Sequence, residues 1–307
     1  MIQYLKCDNG FKEIENWEKD CWINVVNPTK DDVNRLTSHF NTPDYFIEDL
    51  SDTEERSRVD RDEGWLLTII RVPNRIIDDD NDSVYTTGPL GIMIKDDIFV
   101  TVYYGQNNVI TNFINWSNQK KIEKRSGFDL YLSIFLESNF WYLKYLKQIH
   151  TQMKKAEDKL SENMNKDELM RIMNIEKFLV YFTASLKDNE SVLVRLKRLL
   201  PKGTYDTDLF DDADVELNQA LHTSKIYSDI LEHEQTSYSA IINNGLNQTM
   251  KKMTVITICL MVAALIPGFY GMNLINGMEQ WTYGFPLAVC LTAVFATISY
   301  FLCKLVK

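Results

Sequence analysis

The segment "MTVITICLMVAALIPGFYGMN", residues 253–273, contains no charged side chain and decides the fold class of this chain. Its uncharged stretch from 253 to 270 would extend about 27 Å as a helix. That length nearly matches a hydrocarbon core of about 30 Å. A second uncharged run, "FPLAVCLTAVFATISYFLC", covers residues 285–303. Because buried helices of soluble proteins rarely run so long without a polar face, we predict two membrane-spanning helices rather than a buried helical hairpin.

Lysines flank both predicted spans on their outer sides. Lys251 and Lys252 precede the first span, and Lys304 and Lys307 follow the second. Since lysines collect on the cytoplasmic side of membrane proteins, we expect both termini in the cytoplasm and the loop at residues 274–284 outside. The N-terminus has no apolar signal-peptide core, so we predict a multi-pass protein of the plasma membrane with a cytosolic first domain.

Charge and cysteine content exclude several classes of protein. The whole chain carries a net charge of −10. Residues 251–307 sum to +3, so residues 1–250 carry −13. An acidic soluble part argues against a nucleic-acid partner and is compatible with divalent cations. Five cysteines without CxxC spacing indicate a reducing compartment, with neither a disulfide framework nor a structural zinc site.

The soluble part reads as an α/β domain with a mixed sheet and flanking helices, followed by long helices. The candidate strands are β-branched or aromatic runs bounded by turn residues or charge clusters, namely "CWINVVN", "WLLTIIRV", "PLGIMIK" and "DIFVTVYY". From Gly127 onward the pattern becomes helical. The predicted segments are the α/β domain at 1–126, an antiparallel helical pair at 127–205, a stalk helix at 206–252 continuing into the first span at 253–273, the outer loop at 274–284, the second span at 285–303 and a tail at 304–307.

An acidic run stands out between two candidate strands, at residues 78–83. We expect a solvated loop there. The functional alternative is that its carboxylates help to bind a cation, and the residues concerned are Asp78, Asp79, Asp80 and Asp82.

Two helices cannot enclose a pore, so transport would require an oligomer in which one helix of each subunit faces an axis. The first span has a suitable face, because amide, hydroxyl, thioether and small side chains recur there at three- or four-residue intervals. The alternative is a seam in which these residues pack against another helix. The stripe consists of Asn247, Met250, Thr254, Thr257, Met261, Ala264 or Leu265, and Gly268.

The end of the first span combines irregular residues with an amide. Gly268 and Gly271 permit close backbone approach, and such backbone is tolerated at membrane depth where it lines water or is buried in protein. A ring of helix carboxyl ends with Asn273 amide oxygens would favour a cation. Because the span has no carboxylate and Mg²⁺ sheds water reluctantly, we expect recognition of the hydrated ion. Glu279 in the outer loop would attract cations to the entrance.

The motif "YGMN", residues 270–273, at the end of the first of two C-terminal spans, resembles the signature of the CorA family of divalent-cation channels. The resemblance extends over essentially the whole chain, with Asn24 at a position where the family commonly has Asp. Further similar segments are "WINVVNPTKDDVNRL", "PLGIMIKDDIFVTV", "NQTMKKMTVIT" and "MEQW", the last keeping Glu279 without the family's proline.

The resemblance implies a homopentamer with a funnel-shaped cytoplasmic domain and a pore lined by the first span. It also implies Mg²⁺ influx, often with Co²⁺ or Ni²⁺ admitted. By position, Gly271, Met272 and Asn273 would form the selectivity ring. The residues that would line or gate the narrow inner pore are Asn247, Met250, Met253 and Met261.

The family resemblance also implies control by internal Mg²⁺, bound between carboxylates of neighbouring subunits. The candidates here are Asp211 and Asp212 at the start of the stalk helix, facing the acidic run of a neighbour. Mg²⁺ would then be both substrate and regulatory ligand. Two residues depart from the family pattern. Thr236 stands where an acid is expected, which argues against a second inner cation site. Ala264 stands where a threonine is frequent, which argues against a polar ring at mid-pore.

Two other functions remain open at this point. A zinc transporter of the same family is one, although the stripe offers oxygen and thioether groups rather than His or Cys at ligand spacing. A membrane-tethered enzyme or scaffold with a two-helix anchor is the other. The sequence contains no nucleophile elbow, phosphate loop, HExxH motif or metal-spaced His/Cys set, so we do not expect an enzyme.

Overall fold

The computed structural model describes residues 1–77, 83–123, 125–162, 166–201, 203–272 and 281–305. The chain divides into two compact units, Met1–Glu232 and His233–Lys307. The first holds an α/β domain and the second holds two long apolar helices, so the predicted fold class is confirmed. The finer segment boundaries given above remain predictions.

A seven-stranded mixed sheet forms the centre of the first unit. Its order is β2-β1-β3-β7-β6-β5-β4. β3 and β7 pair in parallel, and the other neighbours pair antiparallel. The strands are β1 Ile2–Cys7, β2 Phe11–Ile14, β3 Trp22–Val26, β4 Arg58–Asp62, β5 Trp65–Ile77, β6 Ser83–Lys95 and β7 Ile98–Tyr103.

The central strands are almost completely buried. Ile23 and Val25 on β3 and Val100 and Val102 on β7 have no exposed surface. The polar side chains in this region satisfy one another: Trp22 Nε1 donates to Thr101 Oγ1 at 2.7 Å, and Thr101 Oγ1 donates to Asn24 Oδ1 at 2.9 Å. Asn24 therefore provides an uncharged acceptor deep in the sheet, where an aspartate would bring a charge.

Five helices complete the domain and pack against the sheet or against each other. Thr29 caps α1 through a capping box with Asp32, and Asn107 caps α3 by accepting from two backbone N–H groups. The helices are α1 Lys30–Phe40, α2 Asp44–Asp49, α3 Asn108–Lys120, α4 Gly127–Glu162 and α5 Lys166–Leu199.

A sixth helix, α6, runs from Thr207 to Tyr270 and crosses the division between the two units. Within the first unit it buries Ala213 and Leu217. Asn139 on α4 donates to the Ala213 carbonyl at 3.2 Å, and the hydroxyls of Thr183 on α5 and Ser224 on α6 lie 2.7 Å apart. The long helix predicted from the stalk into the first span is therefore confirmed as one continuous element.

The second unit consists of the remainder of α6 and of α7, Gly284–Leu305. Both helices are rich in Leu, Ile, Val, Ala and Phe. The side chains of α6 that α7 does not cover are exposed within the chain.

Candidate functional site

Both helices of the second unit are long and apolar enough to cross a membrane. Their most apolar 18-residue windows have mean hydropathies of 2.1 in α6 and 2.0 in α7. Only 0% and 6% of these windows are buried inside the chain. A core helix of a soluble protein would be mostly buried, so the chain itself does not cover these apolar surfaces. Lipid or further copies of the chain can cover them.

Each helix has a line of partly covered side chains, which we call the seam, and the two lines meet at Ser299 and Cys259. On α6, the partly buried side chains recur with a helical period: Val255, Cys259, Val262, Ala263, Ile266 and Tyr270. On α7, the covered side chains include Leu287, Ala288, Leu291, Thr292, Ala296, Ser299 and Cys303. One polar contact joins the two sets, because Ser299 Oγ lies 3.8 Å from Cys259 Sγ.

The stripe predicted on α6 lies on the opposite face from this seam. At about 100° per residue, its centre is about 150° away from the centre of the covered side chains. Met250 is 67% exposed and Met261 is 64% exposed. Asn247, Thr254, Thr257, Ala264 and Gly268 are exposed as well. Packing of α6 against α7 within one chain therefore does not account for the stripe.

The stripe threonines donate their hydroxyl protons to the helix backbone. Thr254 Oγ1 donates to the Met250 carbonyl at 2.9 Å, and Thr257 Oγ1 donates to the Met253 carbonyl at 2.9 Å. Such bonds to the carbonyl four residues earlier satisfy a hydroxyl in an apolar setting. Met253, the other predicted inner-pore residue, is 63% exposed.

The end of α6 is built from proline and glycine. Pro267 lies inside the helix and has no N–H to give to the preceding turn. Gly271 N–H donates to the Pro267 carbonyl at 2.8 Å. A Cβ on Gly271 would lie 3.2 Å from that oxygen, so a side chain there would crowd the turn. Gly271 and Met272 thus follow the last helical turn, while Asn273 and Glu279 lie outside the described residues.

The candidate regulatory residues are only partly described. Asp211 and Asp212 are exposed near the start of α6, beside Phe210 and Ala213, which are buried. Asp78, Asp79, Asp80 and Asp82 lie outside the described residues. Within the described part of the chain, no group of three or more His, Cys, Asp or Glu side chains is placed to hold a metal ion.

The comparisons with known proteins decide the family. A family model described as "CorA-like Mg2+ transporter protein" matches residues 17–304, which is most of the chain. The chain belongs to the CorA family.

Other CorA proteins are similar over nearly their full lengths. The chain is 29% identical over 288 residues to a cobalt/magnesium transport protein CorA of Methanocaldococcus jannaschii, covering 90% of this chain and 89% of the relative. It is 22% identical to the magnesium transport protein CorA of Helicobacter pylori, covering 93% and 89%. The CorA family is thus one of transporters rather than of enzymes.

A solved CorA structure has the same fold. The complete structure of the CorA magnesium transporter from M. jannaschii superimposes with a TM-score of 0.83 at 24% sequence identity, covering 98% of this chain and 96% of that one. The soluble domain, the long helix and the C-terminal helix are all included in this coverage. The likeness therefore extends to the membrane unit as well as the sheet.

Two features of the site are not predicted by the sequence analysis. The seam on α6 consists of ordinary apolar residues, and only the three- to four-residue recurrence from Val255 to Tyr270 could have indicated it. The acceptors of the Thr254 and Thr257 hydroxyls are visible only in the structure, although threonine in an apolar helix commonly makes this bond to the backbone.

Proposed function

We propose that this chain is the subunit of a homopentameric channel that admits Mg²⁺, and also Co²⁺ or Ni²⁺, into the cell. Membership of the CorA family and the names of the relatives, which are magnesium or cobalt/magnesium transport proteins, support this function. The soluble unit is acidic, as suits a protein that handles cations.

The observation that carries the proposal is the opposite placement of seam and stripe on α6. One face of α6 packs on α7, and the other face, with Asn247, Thr254 and Thr257, is left exposed within the chain. In a ring of subunits, exposed polar and small side chains can face a water-filled axis while α7 faces lipid.

The ion is recognised with its water in place. The first span contains no Asp or Glu between residues 253 and 268, so a bare divalent ion would lack compensation for its lost hydration. Gly271, Met272 and Asn273 would form the ring at the outer mouth, where amide oxygens accept hydrogen bonds from the ion's water shell. Glu279 would raise the local cation concentration at the entrance.

Topology follows from the lysine flanks. Lys251 and Lys252 precede the first span and Lys304 and Lys307 follow the second, so both termini lie in the cytoplasm. The membrane is the cell membrane, and the acidic α/β unit lies on its inner side.

Internal Mg²⁺ would act as a regulatory ligand between subunits. Asp211 and Asp212 are exposed on α6, and the acidic run at residues 78–82 of a neighbour would supply further carboxylates. Carboxylates brought together repel each other unless a cation lies between them, so loss of internal Mg²⁺ would loosen the assembly and favour the open pore.

Ion uptake into proteoliposomes tests the proposal. We expect Mg²⁺ flux from the wild-type chain, and at least about fivefold less selective flux from Asn273→Ala, because a single lost water contact is worth about 1 kcal/mol. Asn276→Ala is the matched control, since it removes the same amide three residues further along the loop. No flux from the wild type, or equal selective flux from both variants, would contradict the proposal.

The same assay separates the alternatives. Competition of Mg²⁺ flux by Zn²⁺, Co²⁺ and Ni²⁺ ranks the ions, and a zinc transporter would show Zn²⁺ uptake that Mg²⁺ does not reduce. A monomer in gentle detergent would favour the tethered enzyme or scaffold over a pore.

A further inference from the structure

We infer that a cavity between α4 and α5 binds inorganic phosphate, with Glu168 accepting the hydrogen bond from the proton that the phosphate still carries. The cavity lies in the first unit, between the end of α4, the start of α5 and the first residues of β6. The inference goes beyond ion transport and does not depend on the proposed function.

Three cations from two helices line this cavity. Lys155 and Lys159 are four residues apart on α4 and therefore lie on one face of that helix, and Arg171 on α5 lines the same cavity. The cavity has a volume of about 500 Å³, which is ample for a tetrahedral oxyanion. The described walls also contain the carboxylates of Asp158 and Glu168, so the three cations leave an excess of positive charge. The wall therefore favours an anion, although the chain as a whole is acidic.

Glu168 is the unusual residue of the wall, because it places a buried carboxylate beside these cations. The residue is only 8% exposed. Its Oε1 accepts from Lys159 Nζ at 3.2 Å and lies 3.7 Å from a guanidinium nitrogen of Arg171. Its Oε2 is buried and has no hydrogen-bond donor within the described part of the chain. A buried carboxylate oxygen without a donor costs free energy, so a ligand that brings a donor to Oε2 is stabilised there.

Hydrogen phosphate, HPO₄²⁻, combines the two properties that this wall requires. Its three unprotonated oxygens accept charge-assisted hydrogen bonds from Lys155, Lys159 and Arg171. Its P–OH group donates to Glu168 Oε2, which can only accept. The exposed lysine side chains can shift to admit the ligand, since each ends a flexible chain of four carbons.

The acceptor at Glu168 selects among tetrahedral anions by their protons. Sulfate carries no proton at neutral pH, so its oxygens would meet the lone pairs of Oε2 and be repelled. A phosphate monoester loses its last proton at about pH 6 and then presents the same mismatch. Inorganic phosphate keeps one proton well above that pH. The cavity should therefore prefer inorganic phosphate to both of the others.

Two substitutions separate the effect of the cationic wall from that of the acceptor. Lys155→Gln removes one positive charge from the wall. Lys154→Gln is the matched control, because Lys154 is the neighbouring exposed lysine and does not line the cavity. Glu168→Gln keeps the shape of the side chain and supplies N–H donors in place of one carboxylate oxygen, so it accommodates an anion without a proton.

Binding is measured by calorimetry on the full-length chain in detergent, at about pH 8, where a phosphate monoester carries no proton. The probes are inorganic phosphate, sulfate and glycerol phosphate. We expect the wild type and Lys154→Gln to bind phosphate at least about tenfold more tightly than the other two anions, the factor that one hydrogen bond to a charged group provides. Lys155→Gln should bind phosphate about tenfold more weakly for the same reason. Glu168→Gln should bind sulfate as tightly as phosphate.

A second measurement needs no variant. Phosphate should raise the thermal unfolding midpoint of the wild-type chain, and sulfate at the same concentration should raise it less, because a ligand stabilises the folded state in proportion to its occupancy. This result keeps the inference testable if Glu168→Gln does not fold.

Several outcomes would overturn the inference. Absence of phosphate binding by the wild type would do so, and so would equal binding of phosphate and sulfate. A loss in Lys154→Gln as large as that in Lys155→Gln would also contradict it, since the anion would then sit on the basic surface and not in the cavity. None of these measurements involves flux, so the channel function stands or falls separately.

Discussion

At the scale of single residues, the side chain of Asn189 pairs with the backbone of β5 at a point where no strand lies beside it. β4 begins at Arg58, opposite Ile69, so β5 has no β4 partner at Arg71. There Arg71 N–H donates to Asn189 Oδ1 at 2.9 Å, and Asn189 Nδ2 donates to the Arg71 carbonyl at 2.8 Å. Asn189 is fully buried on α5. One amide thus makes the two hydrogen bonds that a neighbouring strand would make.

We predict that Asn189→Ala lowers the free energy of unfolding by about 2–3 kcal/mol, because the buried N–H of Arg71 loses its acceptor. The midpoint of chemical unfolding, followed by tryptophan fluorescence on the full-length chain in detergent, measures this. Asn218→Ala is the control, since Asn218 is exposed and bonds within its own helix. We expect it to change stability by no more than about 0.5 kcal/mol. Equal midpoints for the two variants would contradict the role of Asn189.

At the scale of elements, the sequence predicts the buried strands and misses those at the edges. The predicted runs contain β3 and β7 in the middle of the sheet. β2 and β4 lie at its two ends, and charged residues make up half of "FKEI" and four-fifths of "RVDRD". Edge strands are commonly short and charged, so hydrophobic runs do not mark them. The short helices α2 and α3 and the strand β1 are missed as well.

Prolines explain why two strands are longer than predicted. The predicted run for β5 ends at Val72, just before Pro73, and the predicted run for β6 begins at Pro89, but both strands continue through these prolines. Arg71 directs its N–H away from β6, and Pro73, two residues on, shares that direction. Pro89 lies before the point where β6 begins to pair with β7, at Gly91. In both strands the missing N–H falls on an unpaired edge, where proline is tolerated.

The seam between α6 and α7 gives a prediction for the membrane unit. Ala296 is partly covered in the seam, whereas Ala293, three residues earlier on α7, is exposed. We predict that Ala296→Phe destabilises the helix pair by about 1–3 kcal/mol, since a large side chain does not fit at a partly covered position without moving its neighbours. Thermal unfolding in detergent should show a lower midpoint for Ala296→Phe and an unchanged one for Ala293→Phe. A lower midpoint for both would mean that α7 is crowded on every side.

At the scale of the whole molecule, charge placement predicts how the assembly responds to Mg²⁺. We expect Asp211→Asn combined with Asp212→Asn to weaken the protection from proteolysis that Mg²⁺ gives the full-length chain. Neutral amides leave no repulsion for a cation to relieve, so the protein should respond less to the ion. Limited proteolysis across a Mg²⁺ series measures the midpoint, which should rise severalfold or disappear.

A control with the same change in net charge completes that experiment. Glu13→Gln combined with Glu15→Gln removes two exposed carboxylates from the region of β2. Its proteolysis midpoint should match that of the wild type. If the Asp211 and Asp212 variant keeps the wild-type midpoint, the regulatory carboxylates lie elsewhere in the chain.

The two spans, the stalk helix and the exposed stripe follow from sequence patterns, because charge-free length and helical period are local properties. The side of α6 that packs on α7 depends on both helices at once, and single-residue patterns do not determine it. The roles of Gly271 and Asn273 stay predictions. They depend on several copies meeting at an axis.

The separation of seam and stripe on α6 has a consequence for how such a protein can change over time. Substitutions on the stripe alter what the exposed face presents and leave the contacts between α6 and α7 untouched, so they do not endanger folding of the subunit. Substitutions in the seam do the reverse. Under the proposed function, mutations that tune ion preference would thereby be uncoupled from mutations that affect stability, and a lineage could explore new cargo without first gaining spare stability.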